Sequence, residues 1–249
     1  MLFRSDGLDI DSCQNVRISD CQIFSDDDAL CLKSTTLLPC ENVTITNCLL
    51  GSHCNALKMG TESNGGFKNI SISNCTIQSL RNQPALSGEQ RGLSGISLEV
   101  VDGGVMDRVA ISNVTMEGVI APLFIRLGNR ARPFKPDSPV PGIGVLRNVL
   151  IENIVATDAS LIGCSITGQP ERAIEDVTLR NIHITFEGGG TAADAARAVE
   201  RKPAAYPEST MFGTLPAYGF FSRHVNGLTF ERVHLSYGKT DSRPAAIFD

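Results

Sequence analysis

The sequence predicts an all-β fold, a parallel β-helix of about seven coils with inserted loops, and three observations carry the prediction. A nine-residue phrase recurs seven times along the 249 residues. Inside each copy apolar and polar residues alternate, which is the period of a half-buried strand and not the 3.6 period of a helical solenoid. The shortest spacing between copies is 27 residues. A propeller blade would need four strands in ~40 residues, so one copy fits one coil.

The phrase is a small or polar residue, Val or Ile, any residue, Ile, any residue, Asn or Asp, then Cys, Val or Ile, any residue and an aliphatic one. It reads NVRISDCQI from Asn15, NVTITNCLL from Asn42 and NISISNCTI from Asn69. Looser copies are RVAISNVTM from Arg108, NVLIENIVA from Asn148, DVTLRNIHI from Asp176 and GLTFERVHL from Gly227. The starts are 27, 27, 39, 40, 28 and 51 residues apart, so a unit near 27 carries insertions. In such a stack equivalent residues lie about 4.8 Å apart. Cys21, Cys48 and Cys75 should then form an internal ladder of small buried side chains, with a disulfide between coils as the minor alternative. Asp20, Asn47 and Asn74 should form a polar ladder at the neighbouring turn.

Between copies, Ala131 to Gly142 (ARPFKPDSPVPG) is Pro-rich and reads as a surface loop. Gly188 to Pro207 (GGGTAADAARAVERKPAAYP) reads as a loop excursion whose AADAARAVER segment favours a short helix. Neither marks a domain boundary, because the phrase resumes after each; residues 1–249 are expected to be one β-helix domain.

A net charge of −5 and a pI near 5.4 leave no basic stripe for nucleic acid or an anionic membrane surface. No run of 18 apolar residues occurs, and MLFRSDGLDI lacks the apolar core of a secretory signal. The eight cysteines show no paired CxxC spacing, so zinc is not expected, and no cofactor is implied. Oligomeric state is not readable.

The chemistry-bearing stretches are SDGLDID (Ser5 to Asp11) and SDDDALCLKS (Ser25 to Ser34). Hydrolysis of a glycosidic bond needs one carboxylic acid to protonate the leaving oxygen and a carboxylate to activate water. Asp6 precedes Asp27 by 21 residues, a little under one coil, which can bring Asp6 beside Asp27 and Asp28. Carboxylates so close raise at least one pKa, as a general acid requires. The same spacing also suits acidic turn residues or a calcium site.

Both stretches resemble the paired signature of glycoside hydrolase family 28, the polygalacturonase family of right-handed parallel β-helices. Its pattern, Asn-Thr-Asp-Gly and then Gly-Asp-Asp before a short apolar strand and Lys-Ser, is matched by Asp6-Gly7, by Asp27-Asp28 and by Lys33-Ser34; Asp26 stands at the family's glycine. The resemblance implies an inverting hydrolase of pectic polysaccharide or oligosaccharide, secreted or periplasmic, with Asp27 as the acid and Asp6 and Asp28 positioning water. PLFIRLGNR and YPESTMFGTLPAYGFF also look like stretches of bacterial members.

NALKMGTESNGGFKNI, from Asn55, resembles the family's His-Gly-x-Ser-x-Gly-Ser segment, and GISLEVVDGG, from Gly95, its Arg-Ile-Lys segment. Here the sequence departs: Asn55 stands at the histidine, with His53 two residues earlier, and Ser97-Leu98-Glu99 replaces the cationic pair that holds galacturonate. The 27-residue offset places Asp27 over Cys54, Asp28 over Asn55 and Cys31 under Lys58. Asn55, His53, Lys58, Arg126 and Arg130 are therefore the candidates for binding substrate, each with a structural role as the alternative. Tyr206 and Tyr218 are candidates for stacking on a sugar; His183, His224 and His234 read as structural. The family's first aspartate lies mid-domain, so Asp6 at the start suggests the C-terminal portion of a longer helix, with an uncapped coil exposing a β-edge. Two rival functions stand beside hydrolysis: a non-catalytic carbohydrate-binding β-helix, and a polysaccharide lyase using a base and calcium.

Overall fold

In the computed structural model, which describes residues 5–85 and 88–249, the chain winds into a parallel β-helix. Residues 1–4, the start of the stretch read for a signal, lie outside the described residues. One sheet stacks Leu8–Asp11, Leu30–Ser34, Asn55–Ser63, Ser94–Val100, Ala121–Leu127, Cys164–Thr167, Phe220–Arg223 and Ala246–Phe248 in chain order. The other stacks Arg17–Ser19, Cys40–Thr46, Phe67–Ser79, Val105–Glu117, Val145–Ala159, Ile174–Gly188 and Val225–Lys239, with Gln22–Ser25 and Leu49–Ser52 continuing its first coils.

The repeat sets the register of the second sheet. Ile18, Ile45, Ile72, Ile111, Ile151, Leu179 and Phe230 lie opposite one another in succession, at the spacing read between the copies. The first and sixth residues of each copy turn the chain through the left-handed region, with φ between 50° and 58° at every non-glycine position. Asn and Asp tolerate that conformation best among residues with a side chain, which explains why the phrase puts them there. Their side chains also stack: Asn42 and Asn69 each donate to the Asn one coil before at 3.1 Å, and Asn113, Asn153 and Asn181 continue a second column at 2.8–3.0 Å. Asn47 donates to Asp20 at 3.3 Å. Cys21, Cys48 and Cys75 stack inside as expected, and none of the eight cysteines forms a disulfide.

The sheets differ in cover. Val105–Glu117 and its neighbours alternate buried and exposed residues, so that sheet presents one face to solvent. Ser94–Val100 and Ala121–Leu127 are buried at every residue, because the 189–219 excursion lies against their outer face. Phe212 and Leu215 of the excursion pack on Phe124 and Phe221. The helix expected over AADAARAVER is one turn, Ala192–Ala195, closed by a Thr191–Asp194 capping box. It buries no residue, so nothing rewards its extension. Among the described residues no helix is long and apolar enough to cross a membrane.

Candidate active site

The three aspartates meet at the end of the covered sheet. Leu8 pairs with Leu30, and Leu30 with Leu57. Gly7 N donates to Asp28 O at 2.8 Å, which carries the preceding Asp6 to the Asp27–Asp28 pair. The backbone N–H of Asp28 is shared by Asp6 Oδ1 at 3.2 Å and Asp27 Oδ1 at 3.1 Å. The expected offset between Asp28 and Asn55 also holds: Asp28 Oδ1 accepts from the N–H of Asn55 at 3.0 Å and from its Nδ2 at 2.8 Å.

Each carboxylate has a different electrostatic setting. Asp6 accepts from Lys33 Nζ, which also reaches Asp9 at 2.8 Å. Burial opposes ionisation of Asp6, but the Lys33 contact outweighs it and holds the carboxyl below its ordinary range. Asp28 is buried and paired through Oδ2 with the buried Lys58 at 2.9 Å. Asp27 has no lysine of its own; burial first, and then the charge of Asp28, push its pKa up. One carboxyl biased toward the acid form thus sits beside two held by ammonium groups.

A bulge shapes the wall. Leu32 pairs with Met59 and Ser34 with Ser63, so Gly60, Thr61 and Glu62 stand opposite Lys33 alone. These three line the pocket together with Asp6, Asp27, Asp28, Lys33, Lys58 and Tyr206. Gly60 has φ of 117°, and a Cβ there would meet the carbonyl of Glu99 at 2.7 Å, so the bulge requires glycine.

The 189–219 excursion adds what the repeat does not contain. Tyr206, 52% exposed, has Lys58 Nζ 5.6 Å from its ring centre and the Arg130 guanidinium 5.5 Å from it. Glu208 is pushed up to about 7, by burial above all; Lys58 opposes the rise and Asp28 adds to it. Glu99, fully buried, is pushed up to about 8 by burial, against the pull of Lys58. Its Oε1 accepts from Ser97 Oγ at 2.6 Å. Sequence reasoning did not single out Glu62 or Glu208. The apolar MFGTL a few residues past Glu208 is the signal for that part of the excursion, whereas nothing in the spacing marks Glu62, because the 27-residue offset from Asn42 to Asn69 runs across it unbroken.

Other candidates fall elsewhere. His53 is 2% exposed, with Nδ1 3.2 Å from the carbonyl of Glu89; it lines a separate depression with Phe24, Ser25 and Asp26. Arg126, 1% exposed, points into the excursion and donates to the carbonyls of Arg201 at 2.8 Å and Lys202 at 3.1 Å and to Thr167 Oγ1. Arg130 is tied to Asp102 through Nε at 2.9 Å and through Nη2, 3.7 Å from Glu62. Tyr218 packs edge-on against Phe186 and Tyr237 in the core, and His183 stacks on His234 at 4.6 Å.

Two donor sets, Asp6–Asp28–Cys31 and Asp27–Asp28–Cys54, have atoms within 4.8 Å of one another. Both depend on Asp28, whose oxygens already hold Asn55 and Lys58. A calcium ion, which takes six to eight oxygens, would have to displace that lysine.

No curated protein matches the chain. In structure it matches an exopolygalacturonase from Thermotoga maritima, described as hyperthermoactive, with a TM-score of 0.63 at 18% identity over 93% of this chain. The chain spans 44% of that enzyme's length. The shared fold is the right-handed parallel β-helix. The profile of glycosyl hydrolases family 28 matches residues 4–204, four-fifths of the sequence and all three aspartates, and the chain belongs to that family.

Proposed function

We propose that this protein is a glycoside hydrolase that cleaves a pectin-type polysaccharide or oligosaccharide with inversion. Asp27 is the general acid that protonates the leaving oxygen, and Asp6 and Asp28 hold and activate the attacking water. The reading rests on one observation: carboxyls driven in opposite directions, Asp27 up and Asp6 down, share the Asp28 N–H. Separated acid and base roles need that divergence.

Asp6 accepts from Asp28 N at Oδ1 and from Lys33 at Oδ2, with the Asp9 carboxyl as a further partner; a carboxylate has about four accepting sites, so room for water remains. Asp28 has both sites of Oδ1 filled by Asn55 and one of Oδ2 taken by Lys58, and orients the water through what is left. The shared amide brings Asp6 and Asp27 nearer than the ~6.5–9.5 Å typical of inverting pairs. The water therefore stands to one side, against Asp6 and Asp28, rather than between acid and base. A polymeric substrate outside the cell places the enzyme in the secreted or periplasmic space.

The test is hydrolysis of pectic oligosaccharides followed by reducing-end release and by NMR of the first anomer formed. The expected product has the opposite anomeric configuration. Retention would overturn the roles of Asp6 and Asp28. Binding without release of reducing ends would support a carbohydrate-binding protein, and an unsaturated product absorbing in the ultraviolet would support a lyase.

A further inference from the structure

We infer that the sugar ring seated in the aspartate pocket is uncharged: a neutral hexose or deoxyhexose, or a uronate masked as its ester, and not a free uronate. The inference rests on the pocket being the site proposed above and names what it accepts.

The argument is a balance of charges and hydrogen bonds. A free uronate needs a cation with a donor to spare, ideally a fork of two N–H groups. Among the described residues lining the pocket the cations are Lys33 and Lys58. Lys33 is bonded to both Asp6 and Asp9. Lys58 is buried against Asp28, with Glu99 as a further carboxyl beside it. The guanidinium behind Tyr206, Arg130, is committed to Asp102 and Glu62, and Arg132 reaches the same two residues. Every cation among the described residues at the pocket therefore has its carboxylate, and an entering uronate would be surplus negative charge facing Asp6, Asp28 and Glu62.

The unmet hydrogen-bonding capacity has the same sign. Behind the lining, Asn55 Oδ1 is a buried acceptor with no partner, next to an Asp28 that accepts three bonds, and Glu208, pushed up to about 7, adds no positive charge there. Such an acceptor takes a donor, and the carboxylate of a free uronate has none and would only add one more acceptor. Tyr206 at the rim adds an exposed aromatic ring, suited to the C–H face of an uncharged pyranose.

The experiment compares pectic oligosaccharides ending in free galacturonate, methyl-esterified galacturonate, galactose or rhamnose, by kcat/KM on the wild type and by calorimetric Kd on Asp27→Asn. The uncharged ligands are expected to win by ~100-fold or more at low salt, the scale of a like-charge contact, and added salt should narrow the gap. Glu62→Gln should lower the ratio of uncharged to free acid. Preference for galacturonate, equal treatment of all four, or no binding by any would overturn the inference. Preferential binding of an uncharged ligand without hydrolysis by the wild type would instead overturn the hydrolase reading and leave this one standing. Preference for the ester over galactose and rhamnose would identify the masked uronate.

Discussion

The Asn columns and the aspartate pocket are built on the same stacking rule and use it in opposite ways. In the columns asparagine recurs from coil to coil and its amide donates to the residue one coil before, Asn42 to Asn15, Asn69 to Asn42 and Asn153 to Asn113, all in the same left-handed turn. At the pocket the stacked partners differ: Asp28 meets Asn55, and Lys58 lies between Cys31 and Ser97. Repetition lets neutral amides satisfy one another. Variation leaves charges that must find partners across coils, and one of them, Asp27, has no lysine of its own and has its pKa pushed up by burial and by Asp28. Frame and chemistry are thus separated by whether the ladder repeats.

The sharpest way to break this contrast is Asp27→Asn. It should leave the fold and thermal melting intact while lowering kcat/KM by about 10³-fold, within the range for loss of a general acid. A loss of stability instead would mean that Asp27 is a structural rung like the asparagines. Lys58→Met tests the other half. It strands the charge of Asp28 in a buried position, and chemical denaturation should report a loss of about 3–5 kcal/mol; activity would fall with it.

Glu99 supplies a pH test with a definite sign. Its pKa rises from an ordinary 4.5 to about 8 on folding, so the neutral acid is favoured in the native state. The stability it contributes is complete below 4.5 and is lost as pH climbs through 8. Melting temperature should therefore fall across that window, and Glu99→Gln should flatten the fall. An unchanged slope would remove Glu99 as its cause. The columns should respond least. Asn69→Ala keeps the turn at φ 54° but loses bonds to Asn42 and Arg108, for about 1–2 kcal/mol by denaturation. Asn69→Gly should cost less than Ala, since glycine enters the left-handed region without strain.

What the sequence carried was what repeats. The copies place Ile45 over Ile18 and Ile72 over Ile45 through arithmetic alone, and the same offset sets Asn55 on Asp28 before any contact is seen. Arithmetic fails where the chain leaves the coil. Gly60 to Glu62 bulge because two strands of unequal length share a register, and no periodic reading contains that extra length. Tyr206 reaches the pocket by the packing of Phe212 and Leu215 on Phe124, contacts between residues some ninety positions apart. Arg126 and Arg130 were found by charge and proximity in sequence. Their roles depend on where the guanidinium points, and Arg126 points into the excursion.

The way the excursion is fastened has a consequence for how such a protein can change. Arg126 grips the carbonyls of Arg201 and Lys202, Arg223 those of Val199 and Glu200, Arg197 that of Thr214 and Arg243 that of Leu215. All of these bonds end on backbone oxygen, an atom every amino acid supplies. Where Arg126, Arg223 and Arg243 hold it, the path of the segment is fixed without reference to the side chains it displays there, while Phe212 and Leu215 anchor it by packing. Residues such as Tyr206 and Glu208 are free to be exchanged for others while the anchor points persist, so that a new sugar preference is open to mutation without the scaffold having to be invented again.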